Sequence, residues 1–331
     1  MPYTDLPIDR LRSYAPDLAT PPDLATFWAD TMEQTRSFAL DVLFEPVETG
    51  LRLVETFDVT FRGFGGAPIR AWLLLPAGWS GPLPAVVQFV GYGGGRGTPH
   101  EHLFWASAGY AHFVMDTRGQ GSLWSAGDTP DTGTTGSPHA DGVLTDGIER
   151  PETYYYRRLI ADAVRAVQAV RAHPRVDADR VAVAGVSQGG GLSLAAAALV
   201  PDLAAVMADV PFMSDYPRAI RISTTDPYLQ VARYLQVHRA RVAQIERTLA
   251  YFDVAVLGRL ATAPALFSVA LMDEVCPPST VYAAFNHYGG PKEIREYEFN
   301  NHEGGQQIQE AARLEWLNTL LGRREPDAVN T

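Results

Sequence analysis

Apolar and polar residues nearly alternate from Val54 to Phe61, where Val54, Phe57, Val59 and Phe61 are apolar. That is the pattern of a half-buried strand. Gly63 to Pro68 reads as a turn and Ile69 to Leu75 as a second strand, so the pair predicts an antiparallel hairpin. The pattern then changes to short continuous apolar runs: Ala85–Val90, Ala111–Asp116, Val181–Val186, Ala204–Val210, Ala265–Leu271 and Ile294–Phe299. Helical stretches separate them. The clearest is Tyr155–Arg171, whose Leu159, Ala163, Val164, Val167 and Val170 fall close to one face. Apolar runs alternating with helices indicate βαβ units and a mainly parallel sheet flanked by helices.

Three segments stand outside this rhythm. Residues 1–50 read as a helical extension, with Phe27, Trp28, Met32 and Phe38 on one helix face after Pro21-Pro22-Asp23 and no clear core strand. Residues 121–150, rich in Gly, Thr, Asp and Ser, read as a long surface loop. Residues 211–260 are polar and helical, most clearly over Tyr228–Thr248, and read as an inserted cap or an oligomer contact. With no repeat, low-complexity tract or linker, residues 1–331 read as one α/β domain carrying these insertions.

Composition narrows the function. The 331 residues include 38 acidic and 27 basic side chains, a net charge of −11. That balance argues against a general nucleic-acid binder or a polybasic membrane-surface protein. The longest apolar stretch, Leu192 to Val200, falls well short of the ~20 residues that span a bilayer. A single cysteine, Cys276, permits no internal disulfide, and Met1 to Asp5 shows no secretory pattern. The expectation is a cytoplasmic protein without nucleic-acid or membrane partners.

The strongest chemical signal is Gly185-Val186-Ser187-Gln188-Gly189, a G-x-S-x-G sequence after an apolar run and before the small-residue helix Gly190–Leu199. Strand, sharp turn and helix are what a nucleophile elbow requires, and they mark Ser187 as a candidate nucleophile. A serine hydroxyl needs a base. Of the eight histidines, only His302 follows the last predicted sheet strand. His112 lies inside a strand, His173 at a helix end, His238 in the cap, His287 late in a helix and His139 in the long loop, while His100 and His102 form an H-x-H pair without a third ligand at motif spacing. The orienting acid is expected to be Asp273, which follows the Ala265–Leu271 run and completes the chain order Ser, Asp, His. Asp209, at the end of the preceding run, is its rival, and Glu303 a weaker one. The expected oxyanion donors are the backbone N–H groups of Gln188 and of Tyr92, in the Gly91-Tyr92-Gly93 loop. That Gly-rich loop has no lysine and no phosphate-loop spacing. No metal or cofactor is expected.

With these pieces in place, the sequence resembles carbohydrate esterase family seven, the acetyl xylan esterase and cephalosporin C deacetylase family. The resemblance runs over nearly the whole chain. It rests on Asp116-Thr117-Arg118-Gly119-Gln120-Gly121 (the R-G-Q motif), on Gly185 to Gly189 (G-x-S-Q-G) and on His302-Glu303 (H-E). Tyr154-Tyr155-Tyr156-Arg157 and Asp273 to Pro278 are similar to further family segments. Val90 departs from the His-Gly-Tyr-like sequence expected before Tyr92, which touches side-chain contacts and leaves the loop's backbone role. The resemblance implies an α/β-hydrolase fold and a serine esterase that removes acetyl groups from sugars such as acetylated xylo-oligosaccharides and from cephalosporin C. It implies a cytoplasmic homohexamer with active sites facing an interior cavity, and it carries the triad onto Ser187, Asp273 and His302. Competing readings are a short-chain carboxylesterase, a peptidase of the same fold, and a fold retained only for binding.

Four residues remain to be placed. Arg118 and Gln120 are expected to brace neighbouring loops rather than touch substrate. Cys276 is expected to be a small buried filler. Trp105 and Trp124 fit a sugar site or the core equally well.

Overall fold

The computed structural model describes residue 3 and residues 5–79, 81–131 and 142–322. Its centre is one nine-stranded sheet. In chain order the strands are β1 (Leu43–Val47), β2 (Val54–Arg62), β3 (Pro68–Pro76), β4 (Leu83–Phe89), β5 (Ala111–Met115), β6 (Val176–Val186), β7 (Ala205–Asp209), β8 (Ala265–Ala270) and β9 (Lys292–Tyr297). Across the sheet they run β1-β2-β3-β5-β4-β6-β7-β8-β9. The first three pair antiparallel, as does β3 with β5, and from β5 through β9 every pairing is parallel.

The helices are α1 (Ile8–Arg12), α2 (Leu24–Arg36), α3 (Leu103–Ser107), α4 (Tyr155–Arg171), α5 (Gln188–Leu199), α6 (Tyr216–Ile222), α7 (Tyr228–Val237), α8 (Val242–Ala250), α9 (Val254–Leu257), α10 (Pro278–His287) and α11 (Gln306–Leu321). Helix α4 has the predicted bounds and is buried along most of its length. Strands β4, β5, β7 and β8, and β6 from Val181 to Gly185, are almost wholly buried, as apolar runs covered on both faces must be. On one face α4, α5 and the cap helices close the main core; on the other Trp105, Tyr110 and Leu317 of α11 form a smaller one.

Helices α6 to α9 lie within residues 211–260, and α2 packs on them: Trp28 Nε1 donates to the Tyr251 carbonyl at 3.0 Å. The N-terminal segment also reaches across the chain, pairing Asp5 with Arg218 at 2.7 Å.

Two expectations are adjusted. The helical extension ends in an edge strand, β1, where the sequence shows no clear core strand. Its side chains are at most half-buried, and Pro46 sits where an edge tolerates a missing donor. The described parts of residues 121–150 are not simply a surface loop. Val143, Leu144 and Ile148 enter the main core, and Thr129 and Asp131 are buried. His139 lies outside the described residues.

Candidate active site

The parallel strands end on one edge of the sheet, and every candidate group hangs from such an end. Ser187 follows β6 with φ 58° and ψ −119°, a backbone that a non-glycine residue adopts only under constraint. The constraint is visible in its bonds. Its N–H donates to the Asp209 carbonyl at 2.9 Å, and its carbonyl accepts from Gly191 and Phe212 N–H, both at 3.0 Å. The flanking glycines make room. A Cβ on Gly189 would strike the carbonyl oxygen of Phe89 in β4, and one on Gly185 would strike the backbone of Gly189. Helix α5 can therefore start directly against two strands. As its first residue, Gln188 holds one of the N–H groups that the helix does not use itself.

His302, in the loop after β9, approaches from the side. Its Nδ1 lies 2.8 Å from Asp273 Oδ2. Asp273 is fully buried just past β8, and its other oxygen accepts N–H bonds from Val275 and Cys276, both at 2.8 Å. The carboxylate is thus fixed by the turn that carries it. Asp209 does not share this geometry. Its carboxylate is held by Gln309 Nε2 at 2.6 Å and Arg313 at 2.9 Å, both on α11. Glu303 turns back on its own loop, accepting from Asn300 and the Asn301 N–H.

Ser187 and His302 line one pocket of about 710 Å³ together with Gly91, Tyr92, Leu123, Trp124 and Val186. The cap supplies Asp226, Pro227 and Gln230, and Gly142 and Val275 also line the pocket. Tyr92 hydroxyl donates to Gln230 Oε1 at 2.9 Å, tying the predicted oxyanion loop to α7. The structure settles the two tryptophans. Trp105 is in the core, whereas Trp124 is 63% exposed on the pocket wall, with its Nε1–H donating to the Tyr92 carbonyl at 2.8 Å. Cys276 is buried with its Sγ 4.0 Å from Ser187 Oγ. Burial, and then the charge of Asp273, push its thiol well above the ordinary range.

Three other histidines are engaged away from the pocket. His112 bonds the His102 carbonyl and Gln88, and burial takes its pKa down to about 3. His100 and His102 each place Nε2 on a backbone carbonyl, of Thr49 and Arg96. Arg118 forks onto Asp162 at 2.5 and 2.8 Å and reaches Asp131 at 3.3 Å, all buried, so it braces the loop as its fork suggested. Gln120 is also buried, under the Gly91–Gly94 turn.

Sequence reasoning missed Leu123, Asp226, Pro227, Gln230 and the proximity of Cys276 to Ser187. Only Cys276 sits in a segment the sequence analysis singled out, Asp273 to Pro278, and nothing there points to Ser187. Each reaches the pocket through long-range packing, and the one available hint was that the cap follows the strand after the elbow.

Comparison with known proteins adds an independent line. Residues 1–320 match the acetyl xylan esterase family. An acetyl xylan esterase from Paenibacillus sp. is 35% identical, superposes with a TM-score of 0.89, and the match covers 95% of this chain and 100% of that one. Acetyl xylan esterase 1 from Thermoanaerobacterium sp. is 31% identical with a TM-score of 0.87, over 96% of this chain and 99% of that one. An acetyl esterase of Xylanibacter ruminicola is 27% identical over 296 residues, 87% of this chain and 64% of the relative, so the chain spans under two thirds of that protein's length.

Proposed function

The chain belongs to the acetyl xylan esterase family of carboxylic ester hydrolases with the α/β-hydrolase fold, and from there we propose that it is a serine esterase removing acetyl groups from sugars, acetylated xylo-oligosaccharides among them. The observation that carries this reading is the shared pocket. Ser187 stands on a left-handed elbow, and His302 faces the same space with its Nδ1 bonded to buried Asp273.

In this mechanism Asp273 holds the imidazole with Nδ1 protonated, so Nε2 is the basic nitrogen. His302 takes the Ser187 proton as Oγ attacks the ester carbonyl. The N–H groups of Tyr92 and Gln188 receive the charge that develops on the carbonyl oxygen. The sugar alcohol leaves with the proton from His302. Water, deprotonated by the same imidazole, then releases acetate from the acyl-enzyme. The acetyl ester of cephalosporin C is a substrate of the same chemistry. The proposed site residues all come from one chain, which we read as one domain, and the homohexamer implied by the family resemblance belongs to the proposal. A solution mass near six times the 36.1 kDa chain tests it.

The deciding experiment compares nitrophenyl acetate, butyrate and octanoate beside acetylated xylo-oligosaccharide. Fast release from both acetyl substrates, falling steeply with acyl length, is expected, together with complete loss in Ser187→Ala. Rates that hold or rise with chain length, without sugar deacetylation, would assign the chain to the short-chain carboxylesterases instead.

A further inference from the structure

The R-G-Q segment and the exposed tryptophan remain without a role in that mechanism, yet both converge on one peptide. Gly91 to Gly94 form a tight turn closed by Gly94 N–H donating to the Gly91 carbonyl at 3.1 Å. Gly93 has φ +78°, as the third residue of a type II turn must. Within a turn of this length the central peptide, Tyr92–Gly93, is the part free to flip, and glycine at the third position puts up little resistance.

Here that peptide is gripped at both ends. Its carbonyl accepts the indole N–H of Trp124 at 2.8 Å, and its N–H donates to Gln120 Oε1 at 2.6 Å. The next carbonyl, of Gly93, accepts from Gly121 and Leu123 N–H. The other end of the Gln120 amide points to the elbow. Its Nε2 donates to Gln188 Oε1 and to the Tyr155 hydroxyl, both at 2.9 Å. Gln188 Oε1 also accepts from the Tyr156 hydroxyl at 2.8 Å, and its Nε2 donates to the Val90 carbonyl at 3.2 Å. One buried amide therefore bridges the peptide that follows Tyr92, through Gly93 N–H, and the side chain of Gln188, the two residues whose N–H groups are assigned to the oxyanion being Tyr92 and Gln188.

We propose that Gln120 and Trp124 are positioning residues for the oxyanion hole: Gln120 sets the spacing between the Tyr92 and Gln188 donors, and Trp124 locks the turn that aims the first of them. This rests on the serine-esterase reading above. Preorganised donors are worth most when they need not move as charge develops, so a looser clamp weakens transition-state binding more than substrate binding.

The test uses the whole protein with Gln120→Met, which keeps the volume and removes both hydrogen-bonding ends, Trp124→Phe, and their double variant. Nitrophenyl acetate gives kcat and KM, and a trifluoromethyl ketone that adds to Ser187 reports affinity for a tetrahedral oxyanion. Loss of kcat by about 100-fold is expected in Gln120→Met, and by about fivefold in Trp124→Phe. KM and the pH–rate profile should stay put, ketone affinity should fall in step with kcat/KM, and the double variant should be non-additive. Because Trp124 is exposed, Trp124→Phe reads the clamp even if Gln120→Met folds poorly. Unchanged kcat and ketone affinity in Trp124→Phe, or a loss confined to KM, would overturn the proposal. Ser187→Ala in the same assay separates the failures: if it is inactive, only the clamp has failed; if it turns over normally, the esterase site itself is misassigned.

Discussion

Ser187 Oγ and Cys276 Sγ lie 4.0 Å apart, so the proposed nucleophile shares its surroundings with the chain's one thiol. The thiol is buried and shifted upward, which keeps it protonated and unreactive at neutral pH.

Iodoacetamide at pH 8 should therefore leave activity intact and label no thiol in the folded protein, while one thiol labels after unfolding in guanidinium. Mass spectrometry of the two samples checks this. Rapid labelling of Cys276 with loss of turnover would show a thiol far more open and acidic than the structure has it.

The two candidate acids separate by substitution. Asp273→Asn should lower kcat by about 10⁴-fold with little change in fold, because the imidazole loses the partner that sets its tautomer. Asp209→Asn should instead weaken the hold on Arg313 and Gln309 of α11. It should cost about 2 kcal/mol of stability and change kcat less than about tenfold. Steady-state kinetics beside urea unfolding distinguish the outcomes, and the reverse pattern would return the acid's role to Asp209.

That choice also shows what the sequence could carry. The elbow is legible because its whole requirement, two glycines around a serine between strand and helix, is contiguous. Helix α4 is legible because its apolar residues from Leu159 to Val170 recur on one face for about three turns. Asp209 and Asp273 both follow apolar runs, and only the distant partners, α11 for one and His302 for the other, tell them apart. Strand β1 escaped because an edge position lets Glu45 and Pro46 interrupt the apolar pattern. Val143, Leu144 and Ile148 enter the core singly from a polar stretch, too sparsely to show a period. Asp226 and Gln230 reach the pocket only through the docking of the cap.

Gly189→Ala should be severe. The added methyl meets the Phe89 carbonyl, which is backbone and cannot move aside without pulling α5 from β4. A loss of about 3 kcal/mol or more is expected, with activity falling even where the protein remains folded. Thermal unfolding and kcat together check it, and a neutral result would show that the elbow is looser than drawn.

Asp253 predicts a pH dependence. It is buried, caps α9, and accepts N–H bonds from Asp215, Tyr216 and Ala255 at 3.1, 3.0 and 2.9 Å. Burial nonetheless outweighs those bonds and lifts its pKa to about 7, with the nearby Asp215 charge adding to the rise. The unfolded carboxyl loses its proton near pH 4, so between about pH 4 and 7 the folded state holds the extra proton. Stability should thus fall as pH rises across that window, by up to about 1.4 kcal/mol per pH unit from this group. Urea unfolding of Asp253→Asn against the parent should show a flatter profile; identical profiles would mean the carboxyl is ionised throughout.

The order of strands separates the proposed nucleophile from its proposed base. Ser187 follows β6, flanked on both sides by paired parallel strands, whereas His302 follows β9, which has a neighbour on one side only and mostly half-buried or exposed side chains. Local opening is cheapest at such a margin. Under mild denaturant the imidazole should drift away while the elbow and the inner strands persist, so activity should be lost before the fold melts. An inactivation midpoint below the unfolding midpoint would then measure the fraying of one peripheral strand rather than collapse of the whole molecule.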